Sequence, residues 1–221
     1  MNRLILLVVI GLCSCQAQNE KSSRVERLPF YNDPSFTPVW VDNLNELSND
    51  FHSIPDFELI DQDGDTITTE QTKDKIYVAD FFFTSCPGIC PKMTKNMGML
   101  QKAFMDDNEV ILLSHSVTPD LDSVSVLQSY ANRHGVVSKK WHLLTGEREL
   151  IYDLGRNFYF VEENLGIEKS ADDFLHTENF ILVDSQKHIR GIYNGLNKTD
   201  IMQLIADIKT LKKESTTQSS S

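Results

Sequence analysis

A nearly continuous apolar run, Ile76 to Phe83, leads directly into a loop that carries two cysteines. A run of this length and composition predicts a central strand that is buried on both faces of a sheet. The loop reads Cys86-Pro-Gly-Ile-Cys90, and Pro91 suits the first position of a following helix. Apolar residues then recur at helical spacing, at Met93, Met97, Leu100 and Phe104. The cysteines are therefore expected beyond the carboxyl end of a strand, where open α/β sheets place their sites.

The rest of the body alternates between strand and helix patterns. Short apolar or β-branched runs predict strands at Phe57–Ile60, Thr66–Thr68, Val110–Ser116, Trp141–Leu144, Phe180–Val183 and Ile189–Tyr193. Helical spacing predicts helices at Asp122–His134, which stops at Gly135, at Glu147–Phe158 and at 200–212, the last capped by Thr199. This order predicts an α/β fold with a mixed sheet, helices on both faces and a hairpin near the start.

The N-terminus has the pattern of an export signal. A short start with one positive charge precedes an unbroken apolar run of nine residues, Leu4 to Leu12. This run is too short to span a bilayer as a helix but fits the apolar region of a signal peptide. Leu12-Cys13-Ser14-Cys15 resembles a bacterial lipobox, so residues 1–14 are predicted to be a lipoprotein signal and Cys15 the lipidated residue. A signal that is cleaved without lipidation is the alternative.

The remaining boundaries follow from composition. Residues 15–50 are predicted to form a lipidated tether and a lead-in rich in aromatic residues and proline. Three prolines in the lead-in at 28–40 argue against regular structure, while its aromatics predict packing on the domain. Residues 51–213 are predicted to be the folded domain, and the low-complexity tail 214–221 is predicted to be disordered.

Charge and cysteine usage narrow the function. The formal net charge is −11, so nucleic acid is not expected as a partner, because phosphate binding needs a basic surface. Two of the four cysteines belong to the export signal, which leaves Cys86 and Cys90 in the exported domain. An extracytoplasmic location, on the periplasmic side of a membrane, would place this pair outside the reducing cytosol.

Several motifs in order resemble the SCO/SenC family, copper-handling assembly factors for cytochrome c oxidase with a thioredoxin-like fold. The similarity spans about residues 54–210. The segments that carry it are Pro55-Asp-Phe-Glu-Leu59, Asp63-Gly64, Phe83-Thr-Ser-Cys-Pro-Gly-Ile-Cys-Pro91, Ser116-Val-Thr-Pro-Asp-Leu-Asp122, Trp141 with Leu144-Thr-Gly146, and Leu175-His-Thr177.

The resemblance implies a copper site made by Cys86, Cys90 and His176, and a client such as cytochrome c oxidase subunit II. Thiolates are soft ligands that suit Cu(I), and an imidazole completes a trigonal site that also tolerates Cu(II). Pro91 disfavours helical geometry at Cys90, so the pair is expected on a loop. The sequence departs from the family pattern at Leu175, where the family has an acid, and at Thr118.

The cysteine pair is also compatible with other functions. The pair could act as the redox centre of a thiol–disulfide oxidoreductase on an oxidase subunit or another exported protein. An inert structural disulfide is a third interpretation, disfavoured because so short a loop gains little from closure. His115 lies at the end of a predicted strand and is a candidate accessory ligand, with a structural role favoured.

Overall fold

The computed structural model describes residues 22–41, 46–48, 50–161, 175 and 177–218. Its strands are β1 (Phe30–Tyr31), β2 (Pro38–Val39), β3 (Glu58–Ile60), β4 (Thr66–Thr68), β5 (Ile76–Phe82), β6 (Val110–Ser116), β7 (Trp141–Leu144), β8 (Asn179–Val183) and β9 (Ile189–Asn194). Its helices are α1 (Thr69–Thr72), α2 (Cys90–Ala103), α3 (Val124–His134), α4 (Arg148–Asp153) with a following π-helical turn (Leu154–Phe158), and α5 (Lys198–Gln218).

The main sheet has seven strands in the order β2-β1-β9-β8-β5-β6-β7. Strands β5, β6 and β7 are parallel, and β8, β9, β1 and β2 continue the sheet in antiparallel pairing. The hairpin of β3 and β4 forms a separate two-stranded sheet. Gly64, with φ +85°, makes its turn in a conformation that suits glycine. The predicted mixed α/β architecture is confirmed, and its topology is thioredoxin-like.

The sheet divides the interior into two cores. All seven residues of β5 are buried, and they alternate between the two faces. One core packs α2, α3 and α5 against the side of the sheet that includes Val78 and Phe82. The other packs the β3–β4 hairpin, α4 and the π-helical turn against the side that includes Tyr77 and Phe81. This two-sided cover explains why the strand lacks a polar alternation.

Helix α2 forms because its apolar residues share one face. Met93, Met97 and Leu100 are fully buried against the sheet. Burial of each such side chain stabilises the fold by about 2 kcal/mol relative to exposure. The helix is therefore held rigidly at the carboxyl end of β5, where its first turn adjoins the cysteine loop.

The lead-in differs from the prediction. Residues 30–39 form the short strands β1 and β2, so the sheet begins before residue 51. Pro38 is tolerated because β2 is an edge strand. Buried Leu28 and Phe30 confirm that this segment packs on the domain.

The helices that follow β7 also differ from the prediction. The segment 147–158 is α4 plus a π-helical turn instead of one regular helix. The last helix begins at Lys198, and the Asn197 side chain, not Thr199, accepts the backbone N–H that caps it. The same helix continues to Gln218, so the prediction of a disordered tail from Glu214 is wrong for residues 214–218.

Within the described part of the chain, no helix is both long and apolar enough to cross a bilayer.

Candidate functional site

The cysteine loop connects the end of β5 to the start of α2. Cys86 lies in the loop and Cys90 is the first residue of the helix. The expectation that Pro91 keeps Cys90 out of the helix is wrong. Ile89 already has right-handed helical angles, and its carbonyl accepts hydrogen bonds from the N–H groups of Lys92 and Met93. A proline in the first turn removes only an N–H that has no partner within the helix.

The two thiols are free and occupy different environments. Cys86 is partly exposed, whereas Cys90 is buried with 4% of its surface accessible. Partial burial opposes ionisation of Cys86, but hydrogen bonds from the Cys90 thiol and from backbone N–H groups of the loop outweigh it and lower the pKa of Cys86. Burial and the interaction with Cys86 raise the pKa of Cys90 to about 12. Of the two thiols, Cys86 therefore ionises first as the pH rises.

Asp122 ties this loop to the adjacent strand. Its buried carboxylate accepts hydrogen bonds from the Thr84 hydroxyl at 2.5 Å and the Thr84 N–H at 3.2 Å. It also accepts from the Ser116 hydroxyl at 2.6 Å and the Thr118 hydroxyl at 3.0 Å. Helix α3 starts only at Val124, so Asp122 serves the loop and does not begin the helix. This carboxylate fixes the backbone two residues before Cys86.

Asp80 is a buried acid that sequence reasoning passed over. It lies within β5 on the face that α2 covers, and its carboxylate accepts a hydrogen bond from the Ser114 hydroxyl. Trp141 Nε1 in turn donates to that hydroxyl at 2.8 Å. Burial raises the pKa of Asp80 to about 7, and its charge contributes to the raised pKa of Cys90. An acid inside an otherwise apolar strand was the signal that could have identified it.

His115 belongs to the opposite core from the thiols. Its ring stacks on Phe81 with centroids 4.8 Å apart and packs against Phe57 and Tyr159. Its Nδ1 donates to the Asp80 carbonyl at 3.3 Å, and burial lowers the pKa of the imidazole to about 4. The structure therefore gives His115 a place in the apolar packing and separates it from the cysteine loop by the sheet.

His176 lies outside the described residues, so its predicted role as a ligand is neither confirmed nor contradicted. Its neighbour Leu175 is buried and packs beside Phe81 and Gly155. An apolar core side chain, and not an acid, therefore precedes His176. Because β8 runs antiparallel to β5, the chain that enters β8 at Asn179 lies at the sheet edge where β5 ends. Cys15, which is predicted to be the lipidated residue, also lies outside the described residues.

These features define a class of protein: a thioredoxin-like domain with an asymmetric dithiol where a central strand meets its helix. Among the described residues, no three His, Cys, Asp or Glu side chains come together as a metal site. The pair alone can exchange with disulfides or contribute two soft ligands.

Comparison with known proteins gives the family. The SCO1/SenC family profile matches residues 45–213, and the chain belongs to this family. The SCO1 protein homolog of Bacillus subtilis is 30% identical over 162 residues, which cover 72% of this chain and 82% of the relative.

Solved structures agree with that placement. A SCO1/SenC family lipoprotein from Bacillus anthracis has a TM-score of 0.61 and 31% identity, covering 73% of this chain and 95% of its own. BsSco, described as a Sco family cytochrome c oxidase assembly protein with a disulfide switch, has a TM-score of 0.58 and 28% identity, covering 72% and 93%. Copper-bound ScoI from Bradyrhizobium japonicum shares the fold at 22% identity, with a TM-score of 0.56 and coverage of 72% and 99%.

Proposed function

We propose that this chain binds one copper ion through Cys86, Cys90 and His176 and delivers it to the copper site of cytochrome c oxidase subunit II. The observation that carries the proposal is the asymmetric thiol pair in a chain of the SCO1/SenC family. Two thiolates suit Cu(I), and one imidazole completes a three-coordinate site. Cys86 is partly exposed, which supports ligand exchange with a partner.

The place of His176 in the chain supports its role as third ligand. Leu175 is anchored in the core immediately before it, and Thr177 and Glu178 lead into β8 beside the end of β5. The described residues that flank position 176 therefore lie near the end of β5, which leads into the cysteine loop. Leu175 offers no carboxylate to orient the imidazole, so the orienting group must come from elsewhere in the chain or from water.

The proposed location is the extracytoplasmic side of a membrane, with a lipid on Cys15 as the anchor. The support is the apolar run from Leu4 to Leu12 and the lipobox-like Leu12-Cys13-Ser14-Cys15. The B. anthracis relative is itself described as a lipoprotein. Two or more acyl chains would hold such a protein firmly on a membrane.

Competitive Cu(I) titration of the purified, reduced protein tests the proposal. The wild type is expected to bind one Cu(I), Cys86→Ser and Cys90→Ser to lose tight binding, and His176→Ala to bind more weakly. His142→Ala is a matched control, because this imidazole pairs with Asp61 at 2.9 Å, in the β3–β4 hairpin region. Wild-type binding no tighter than that of Cys86→Ser would exclude the chaperone role.

Thiol–disulfide exchange is a second candidate, favoured by the opposite pKa shifts of the two cysteines. The Cys86 thiolate would attack a client disulfide, forming a mixed disulfide and releasing one client thiolate. Cys90, after losing its proton, would then attack Cys86 Sγ and release the second client thiolate. The client gains two electrons and the pair becomes a disulfide. His176→Ala should leave the rate of this exchange unchanged while weakening copper binding, so the two functions are separable.

A further inference from the structure

A cavity lies between the lead-in, β9 and α5. Its volume is about 350 Å³, at the lower end of the range for small-molecule sites. It shares no lining residue with the cysteine loop. Its walls combine aromatic rings with acidic and amide oxygens.

The aromatic wall consists of Tyr31, Tyr193 and Trp40. Trp40 is one of few large apolar side chains exposed in the described residues, with 58% of its surface accessible. Gly191 makes room for the Tyr193 ring, because a Cβ at this position would lie 2.5 Å from the phenol oxygen. Aromatic faces arranged around a cavity attract cations through their quadrupoles.

The polar wall is a single face of α5. Asp200, Gln203 and Asp207 are spaced three and four residues apart, so they lie on one side of the helix. Buried Asp207 accepts hydrogen bonds from the Tyr193 hydroxyl at 2.9 Å and from Gln203 Nε2 at 2.8 Å, both of them neutral donors. Within the described residues, Gln203 Oε1 is buried without any hydrogen-bond partner. An unsatisfied acceptor of this kind costs about 1–3 kcal/mol until a donor reaches it.

The charges around the cavity leave an excess of negative charge. The buried Arg190 guanidinium is matched by Asp184 at 3.0 Å and Glu214 at 2.7 Å. Of the other charged groups that line the cavity, the two acids Asp200 and Asp207 outnumber Arg24, which is exposed and forms no ion pair within the described chain. A cavity with this balance favours a positively charged occupant.

We propose that this cavity binds an organic cation, namely a guanidinium or alkylammonium group such as the side chain of arginine or lysine in a peptide. The cation would lie against Trp40 and Tyr31, pair with Asp200 and Asp207, and direct one N–H toward Gln203 Oε1. Such a site would give the protein a contact for a basic segment of a partner that is independent of the cysteines.

Calorimetric titration of the purified protein with Nα-acetyl-arginine amide tests the proposal, with Nα-acetyl-citrulline amide as an uncharged probe of the same shape. The arginine probe should bind saturably and about tenfold more tightly than the citrulline probe. Trp40→Ala and Gln203→Met should each weaken binding of the arginine probe several-fold. Arg24→Gln should strengthen it, because a like charge leaves the rim.

Control measurements distinguish the loss of a contact in the cavity from a failure to fold. Leu121→Ala removes another exposed apolar side chain, 68% accessible and outside the cavity, and should change nothing. Thermal melts identify any variant that fails to fold; Trp40 and Arg24 are exposed, so those two variants are expected to fold. Equal binding of the two probes, no saturable binding, or weaker binding by Arg24→Gln would each overturn the proposal.

Discussion

Cys86 and Cys90 are four residues apart in sequence and yet differ in both burial and thiol pKa. Cys86 is partly exposed and receives hydrogen bonds that lower its pKa. Cys90 is buried at the start of α2, and its pKa is raised to about 12. The difference comes from the position of each sulfur at the strand–helix junction, because burial disfavours the charged form.

Alkylation of the reduced, metal-free protein should therefore be selective. Iodoacetamide at pH 7.5 is expected to modify Cys86 more than about tenfold faster than Cys90, because the thiolate is the nucleophile. The rate at Cys86 should fall as the pH drops through its lowered pKa. Fragment-ion mass spectrometry separates the two sites, which share one tryptic peptide. Equal rates, or faster labelling of Cys90, would contradict the assignment of roles.

Asp80 gives a prediction about pH. Burial raises its pKa to about 7, above the 3.8 of the unfolded chain, so the folded state holds this proton more tightly. Its favourable contribution to stability is complete below about pH 4 and is lost as the pH rises through 7. Asp80→Asn does not ionise and should not lose this stability. The free energy of unfolding of the variant relative to wild type should therefore rise, by up to a few kcal/mol, between pH 4.5 and 8.5.

Urea unfolding of the reduced proteins across that pH range measures the difference. Asp120→Asn is the matched control, because Asp120 is exposed. His115 acts in the opposite direction, since its pKa is lowered to about 4 and its contribution is lost as the pH falls below 6.5. Because wild type and Asp80→Asn both contain His115, the contribution of His115 cancels in the difference between their free energies of unfolding. A constant difference at all pH values would show that Asp80 does not titrate as stated.

At the level of elements, the cysteine loop depends on a carboxylate from the segment after β6. The Asp122 carboxylate accepts hydrogen bonds from the N–H and the hydroxyl of Thr84. It also accepts hydrogen bonds from the hydroxyls of Ser116 and Thr118. One buried group thereby joins the loop to the end of strand β6. The loop geometry is thus a property of two parallel strands, and not of the five-residue motif alone.

Asp122→Ala should destabilise the fold by about 2–4 kcal/mol, because it leaves buried donors without an acceptor. It should also reduce the difference in alkylation rate between Cys86 and Cys90, since the loop is no longer fixed. Denaturant unfolding and the labelling assay measure the two effects. Asp120→Ala, two residues away and exposed, should leave both unchanged. Retention of wild-type selectivity in Asp122→Ala would show that the loop holds its own shape.

An element can be predicted from the sequence when the residues that stabilise it are close together in the chain. Ile76–Phe83 and the helical spacing from Met93 to Phe104 carry their own burial pattern, so both elements were predicted. Strand β1 was not, because its partner β9 lies more than 150 residues away in the chain. The last turns of α5 are fixed by the ion pair from Glu214 to Arg190, and the Ser- and Thr-rich sequence gives no sign of it.

The candidate site likewise contains residues that the sequence identifies and residues whose roles only the structure shows. The motif and the family resemblance identified the cysteine pair, since the residue types and their spacing are local. The buried acids Asp80 and Asp122 act through Ser114, Thr84 and strand pairing. Their roles follow from contacts across the sheet, which residue order does not show.

For the molecule as a whole, the proposed anchor and the domain are separate in the chain. The structure describes residues from 22 onward, and the proposed lipidation residue Cys15 lies outside them. Cys15→Ser is expected to release the protein from the membrane fraction into the soluble extracytoplasmic fraction. The released protein should still bind Cu(I), since the cysteine loop is intact. Cell fractionation and mass measurement of the N-terminal peptide test this; membrane retention of an unlipidated Cys15→Ser chain would contradict it.

The central claim is that Cys86, Cys90 and His176 form one copper site. X-ray absorption spectroscopy of the Cu(I)-loaded protein tests it most directly, because it counts the sulfur and nitrogen neighbours of the metal. The wild type should show two sulfur ligands and one imidazole nitrogen, Cys90→Ser one fewer sulfur, and His176→Ala no imidazole. Copper coordinated by oxygen and nitrogen alone in the wild type, or a spectrum that the cysteine substitutions leave unchanged, would contradict the claim.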